Sequence, residues 1–299
     1  MPTTRMPSYG GQALIEGVLM RGPTALAAAM RNPEGEIVLQ TEHLKGIYKS
    51  NIRKIPFLRG LIMLWDALVL GTRYLTISAN IQTKEDEKIE GPALYITLGI
   101  SMLIGLGIFV VLPTLIGQAI ESLFKLDLSV VNILEGIFRL LIAIGYIWAI
   151  GKMKDIQRVF SYHGAEHKTI NAFEARAELT PEVVSQYPVE HPRCGTGFLL
   201  TVIVLSILVF SPLRSLDFFL RLPLQLVLVP ALGCLAYEYV RWSASHIDHW
   251  LVRILISPNL ALQKLTTREP TLEMLEVSIT AFNAMYELET ANQAPGETL

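Results

Sequence analysis

The chain has 299 residues, 51% hydrophobic and 17% charged, with a mean hydropathy of +0.41; it is too apolar for an average soluble domain and reads as an integral membrane protein. A formal net charge of -2 and the lack of any Lys/Arg-rich tract interleaved with aromatics argue against a nucleic-acid partner. With only Cys194 and Cys234 present, a disulfide framework is not expected, the polar parts are assigned to a reducing compartment, and Cys194 is free to act as a thiolate ligand.

The predicted fold is mainly α: a polytopic helical membrane protein with about four transmembrane helices, a small β-containing N-terminal lobe and cytoplasmic amphipathic helices. Residues 1–50 form the lobe. No apolar core of signal-peptide length followed by a small-residue cleavage site occurs in Met1–Gly22, so insertion is expected to use internal spans. Gly10-Gly11-Gln12-Ala13-Leu14-Ile15-Glu16-Gly17-Val18-Leu19-Met20-Arg21-Gly22-Pro23 packs glycines around a short apolar run. It reads as a glycine-punctuated strand, or as a strand that also lends Glu16 or Arg21 to a site. Ala25–Met30 and Glu36–Thr41 flank Arg31-Asn32-Pro33-Glu34-Gly35, a composition that favours a tight reversal and predicts a β-hairpin.

Residues 51–90 hold an amphipathic helix and a charged connector. Ile55, Leu58, Ile62, Trp65, Val69 and Ile77 approximate helical spacing, while Arg59, Asp66 and Arg73 recur every seven residues on another face. The regular charges favour a helix in the membrane interface or against the bundle over one that spans. The first transmembrane pair falls in residues 91–151. Gly91–Ile120 carries no charge, and Leu128–Gly151 carries Glu135 and Arg139 at i and i+4, where pairing reduces the cost of burying them.

Residues 152–194 are a polar loop that contains the most informative stretch, Tyr162-His163-Gly164-Ala165-Glu166-His167-Lys168-Thr169. On a helix, His163 and His167 lie one turn apart with Glu166 beside them, in the H-x-x-E-H order of inverted zinc proteases. Two imidazoles at that spacing reach one divalent ion, and the carboxylate either binds the ion or takes a proton from its water. Extension through Asn171 and Glu174 makes a polar stripe that a solvated face would also produce. The same loop ends in His191-Pro192-Arg193-Cys194-Gly195, which adds an imidazole and a thiol three residues apart. With four ligands bound the site is closed and structural; with three bound and Glu166 free, a water position remains.

The second transmembrane pair occupies residues 195–237, as Gly195–Leu213 and a proline-interrupted Leu216–Tyr237. Within 238–299, assigned to cytoplasmic helices and a frayed tail from Ala291, Glu238 is either a downstream third metal ligand or part of an interfacial Tyr-Glu-Tyr belt. His246 and His249 read as interface anchors. A turn is predicted at Ser257-Pro258-Asn259, followed by a helix capped by Thr271 with Leu272, Leu275, Ile279, Phe282 and Tyr286 on one face. Eleven Lys/Arg precede the first span, six lie between Lys152 and Arg193 and four follow Tyr237, against one in each outer loop; both termini and the histidine loop are therefore expected on the cytoplasmic side.

Gly10-Gly11-Gln12-Ala13, Ile15-Glu16-Gly17-Val18, Met20-Arg21-Gly22-Pro23, Tyr162–Lys168, His191–Thr196 and Leu265-Thr266-Thr267-Arg268-Glu269-Pro270 together resemble the YqhQ-like family of bacterial membrane proteins, over nearly the whole chain. The resemblance implies a multipass protein of the bacterial plasma membrane in a family labelled as predicted metal-dependent enzymes. The combined expectation is a zinc-type hydrolase in contact with the lipid bilayer. His163, His167, His191, Cys194 and Glu238 are its candidate ligands for a divalent metal, most simply zinc, and Glu166 is its general base. The alternative is a non-catalytic membrane scaffold or assembly factor with a structural metal site. No nucleotide loop or nucleophile elbow is present to specify a substrate.

Overall fold

A computed structural model describes residues 9–49, 55–83, 88 and 91–291. Most of the charged connector expected before residue 91, and the tail from 292, lie outside the described residues.

Four strands, β1 (Gly10–Leu14), β2 (Gly17–Arg21), β3 (Ala25–Arg31) and β4 (Ile37–His43), form an antiparallel meander in sequence order. The single strand expected across Gly10–Gly22 is two, because Glu16 takes the left-handed region (φ 52°) and reverses the chain. The predicted hairpin is β3–β4. The period-2 rule divides the strand side chains between the two sheet faces. Val18, Met20, Ala27 and Ala29 enter one core, and Leu14, Leu19, Leu26, Ala28 and Met30 the other. Burial on both faces explains why β3 reads as a continuous apolar run rather than an alternating one.

The helices are α1 (Leu58–Ile81), α2 (Gly91–Phe124), α3 (Leu128–Ile150), α4 (Lys154–Glu174), the short α5 (Pro181–Val184), α6 (Gly195–Phe210), α7 (Phe218–Ser245), α8 (Trp250–Thr266) and α9 (Leu272–Thr290). One sheet face is covered by α1 through Ile62 and Tyr74. The opposite face is covered by α4 through Tyr162 and Ala165 and by α9 through Leu275, Phe282 and Met285.

Among the described residues, α1, α2, α3 and α7 are long and apolar enough to cross a membrane. Three of them, α2, α3 and α7, coincide with expected spans; α1 packs on the sheet, and the fourth expected span, α6, is apolar but shorter. At 16 residues, α6 is about 24 Å long, against a hydrocarbon core of ~30 Å. Of the α1 charges, Arg59 pairs with Glu238 on α7 and Asp66 with Arg21, both largely buried, while the exposed Arg73 pairs with the exposed Glu42. Beside Arg73, its exposed side chains include Leu61, Trp65, Leu68 and Leu75. The helix thus packs against the bundle and the sheet, one of the two placements expected for it.

Within the bundle, Glu135 accepts from Arg139 at 3.2 Å and from Thr114 at 2.9 Å, and Arg139 donates to Ser206 at 2.8 Å. The pair is buried and hydrogen-bonded at both ends, the condition under which such charges are tolerated. The turn predicted at Ser257-Pro258-Asn259 is instead continuous helix in α8. Pro258 has no N–H for the carbonyl of Ile254, and the Ser257 hydroxyl donates to that oxygen instead, at 2.9 Å.

The last turn of α9 is bolted to the sheet. Glu289 Oε1 accepts from Thr24 N at 2.6 Å, Ala25 N at 3.1 Å and Thr24 Oγ1 at 3.1 Å. Glu289→Ala leaves two main-chain N–H groups without their acceptor in a buried corner and is expected to cost about 2–4 kcal/mol. A thermal midpoint of the detergent-solubilised variant equal to that of the parent protein would contradict this role.

Candidate metal centre

The site is built on α4, whose polar stripe is buried rather than solvated. Its hydrogen-bonding groups face the extended segment 185–191, where a helix with a purely solvated face would leave them to water. His167 Nδ1 meets the Val189 carbonyl at 2.5 Å, and Asn171 donates to the carbonyls of Pro188 (2.9 Å) and Glu190 (3.0 Å). Lys168, 3% exposed, donates to the Ser185 and Tyr187 carbonyls and pairs with Glu269 at 2.9 Å. Glu174 closes the stripe through an ion pair with Arg193.

From this side α4 presents His163 and His167, with ring centroids 4.4 Å apart. Cys194, at the N-cap of α6, enters from the other side, its Sγ 3.2 Å from His163 Nε2. One donor atom from each of His163, His167 and Cys194 lies within 4.8 Å of the others. For Zn–N bonds of about 2.0 Å and Zn–S bonds of about 2.3 Å in a tetrahedron, the N–S edge is roughly 3.5 Å. The observed 3.2 Å needs little adjustment, and the nitrogen and sulfur donor set suits zinc.

The second layer fixes the tautomers. His163 Nδ1 is 2.9 Å from the Thr266 carbonyl, and His167 Nδ1 is held by Val189. A carbonyl accepts only, so each Nδ1 carries the proton and each Nε2 keeps its lone pair for a ligand. The Cys194 sulfur takes a hydrogen bond from Thr196 N in the first turn of α6.

His191 and Glu166 adjoin the triad. The His191 ring lies 5.7 Å from that of His167, and its backbone is clamped at two points by Gln263, each at 2.9 Å. Its Nε2 is buried without a hydrogen bond, the Glu174 carboxylate being 3.7 Å away. Burial pushes the His191 imidazole down to about 4. Burial pushes the Glu166 carboxyl up, opposed by nearby His163 and His191 and by a hydrogen bond from Gly11 N–H. A side chain at residue 11 would meet the Leu19 carbonyl and press on Glu166, so this close approach requires glycine. His167 is likewise lowered by burial, opposed first by its bond to Cys194.

The other sequence candidates lie elsewhere. Glu238 accepts from Arg59 Nε at 2.6 Å and from Phe57 N at 3.0 Å, and forms no part of the three-residue cluster. His246 is exposed and stacked on Trp242, and His249 caps α8. Glu16 holds Arg158, and Arg21 holds Asp66. Three groups that hold the site were not singled out in the sequence: Gln263 and the carbonyls of Val189 and Thr266. A carbonyl leaves no residue-type signal, although Thr266 lies in one of the stretches that carry the family resemblance.

Residues 55–288 match a family described as a protein of unknown function, DUF1385. The chain is 33% identical, over 311 aligned positions, to the uncharacterized protein YqhQ of Bacillus subtilis (strain 168), covering 98% of each sequence. No solved structure matches it.

Proposed function

Given that the chain belongs to the DUF1385 family, we propose that it is a membrane-embedded metal-dependent hydrolase with its centre on His163, His167 and Cys194. The observation that carries this reading is the convergence of those three donors, with both histidines pinned through Nδ1. Three protein ligands is the count typical of a zinc site that keeps an open position. A bound zinc-type ion would supply Lewis acidity there. The chain's own residues would do the rest. Glu166, anchored by Gly11 and adjacent to His163 and His191, would take and return the proton, and His191 would stay neutral and orient the reacting group. By the loop-charge asymmetry, the lobe and both ends face the cytoplasm.

A structural staple in a non-catalytic scaffold is the second reading, supported by the buried His191 Nε2, which makes no hydrogen bond and sits on a ring 5.7 Å from that of His167. X-ray absorption on protein loaded with about one zinc per chain separates the two. One sulfur, two imidazoles and one light oxygen scatterer are expected, unchanged in His191→Ala and in Glu166→Gln. Three imidazoles in the parent protein, falling to two in His191→Ala, would favour the staple and overturn the hydrolase.

A further inference from the structure

A second polar feature lies on the same lobe, away from the metal centre. A cavity of about 650 Å³ opens between the start of α4 and the segment that joins α8 to α9. Lys154, Arg158 and Arg268 line it together with Gln157 and Ser161. Its one carboxylate, Glu269, is already paired with Lys168. Arg158 is offset by Glu16, but Lys154 makes no hydrogen bond or ion pair among the described residues, and Arg268 spends one Nη on the Gly151 carbonyl with no carboxylate partner. The excess is cationic, and the remaining lining is neutral: Gln157 and Ser161, which donate to main-chain carbonyls, and the Met274 thioether.

Its position identifies the occupant. α3, a helix of membrane length, ends at Ile150, and the cavity wall begins at Lys154. Between them the exposed Trp148 ring carries the Lys152 ammonium 4.9 Å from its centroid, an aromatic and basic pair typical of the membrane interface. Lys154 to Arg158 covers about 6 Å of helix, comparable to the headgroup layer of one leaflet, roughly 5–8 Å. We infer that this cavity binds the phosphate of an anionic phospholipid headgroup from the leaflet on the lobe's side, with Lys154 and Arg268 as the principal cations.

The test uses the full chain in neutral detergent, with native mass spectrometry to read dissociation constants. Phosphatidylglycerol, phosphatidylcholine and inorganic phosphate are titrated at fixed ionic strength. Phosphatidylglycerol should bind at least about tenfold more tightly than phosphatidylcholine. Lys154→Glu should weaken it by about tenfold, while Lys152→Glu, at the same height but outside the cavity, changes it by less than about twofold. Because Lys154 is exposed and has no partner, its substitution should leave the lipid-free thermal midpoint in place. The proposal fails if the two lipids bind alike, if both substitutions weaken binding equally, or if inorganic phosphate competes as well as the lipid does.

Discussion

Replacing His163 and His167 together by alanine should reduce bound zinc from about one ion per chain to less than about a tenth, measured by elemental analysis after purification without added metal. The expected effect is large because it removes two of the three converging donors and both carbonyl-pinned imidazoles. Cys194 alone cannot hold a borderline-soft ion against water and buffer. The loss should also appear in stability. A ligand present at roughly a thousand times its dissociation constant stabilises the fold it binds by about 4 kcal/mol, so zinc should raise the thermal midpoint of the parent protein and not that of the double variant. His246→Ala with His249→Ala is the matched control and should retain the full complement. A parent protein that binds no metal would remove both functional readings at once.

The second large effect is expected at Gly164. A methyl group there would stand 2.1 Å from the Arg268 carbonyl oxygen, a backbone atom with no flexible end to yield. The strand of chain at residues 266–270 must then move off α4 by an ångström or more, in a region packed as tightly as an organic crystal. That strand also holds His163 through Thr266, Lys168 through Glu269 and the end of α3 through Arg268. Gly164→Ala should therefore lower the thermal midpoint and weaken zinc binding by about 10–100-fold, the usual consequence of losing an outer hydrogen bond to a ligating histidine. Competition with a chromophoric chelator measures the second effect. A lower midpoint with unchanged affinity would show that the strand does not position His163.

Some of this was legible in the residues and some was not, for physical reasons. The pairing of His163 and His167 in a candidate metal-binding cluster was, because i, i+4 spacing on a helix fixes which side chains share a face whatever the surroundings. Glu238 stood among the candidates because its partner, Arg59, lies 179 positions away in the chain. For α1 the expected packing against the bundle could be read, but not the partners of its charges on β2, β4 and α7. Proline at 258 looked like a turn because local propensity cannot register that α8 packs against neighbours and that Ser257 replaces the missing donor. The β lobe was visible as a hairpin, but the burial of both its faces depends on helices distant in the chain.

That arrangement sets a timetable for synthesis. β4 ends at His43 and α9 starts at Leu272, so 228 residues separate the sheet from the last helix that covers it. At about 5–20 residues per second, roughly 10–50 s pass between completion of the strands and arrival of α9. During that interval α1 can cover Leu14, Leu26 and Met30, while Met20, Ala27 and Ala29 wait with their face open to solvent, chaperones or a wrong partner. The membrane-length helices are made within the same interval. Among the described elements, the strands of the lobe are thus translated before every helix, and the lobe is completed only by the last of those helices.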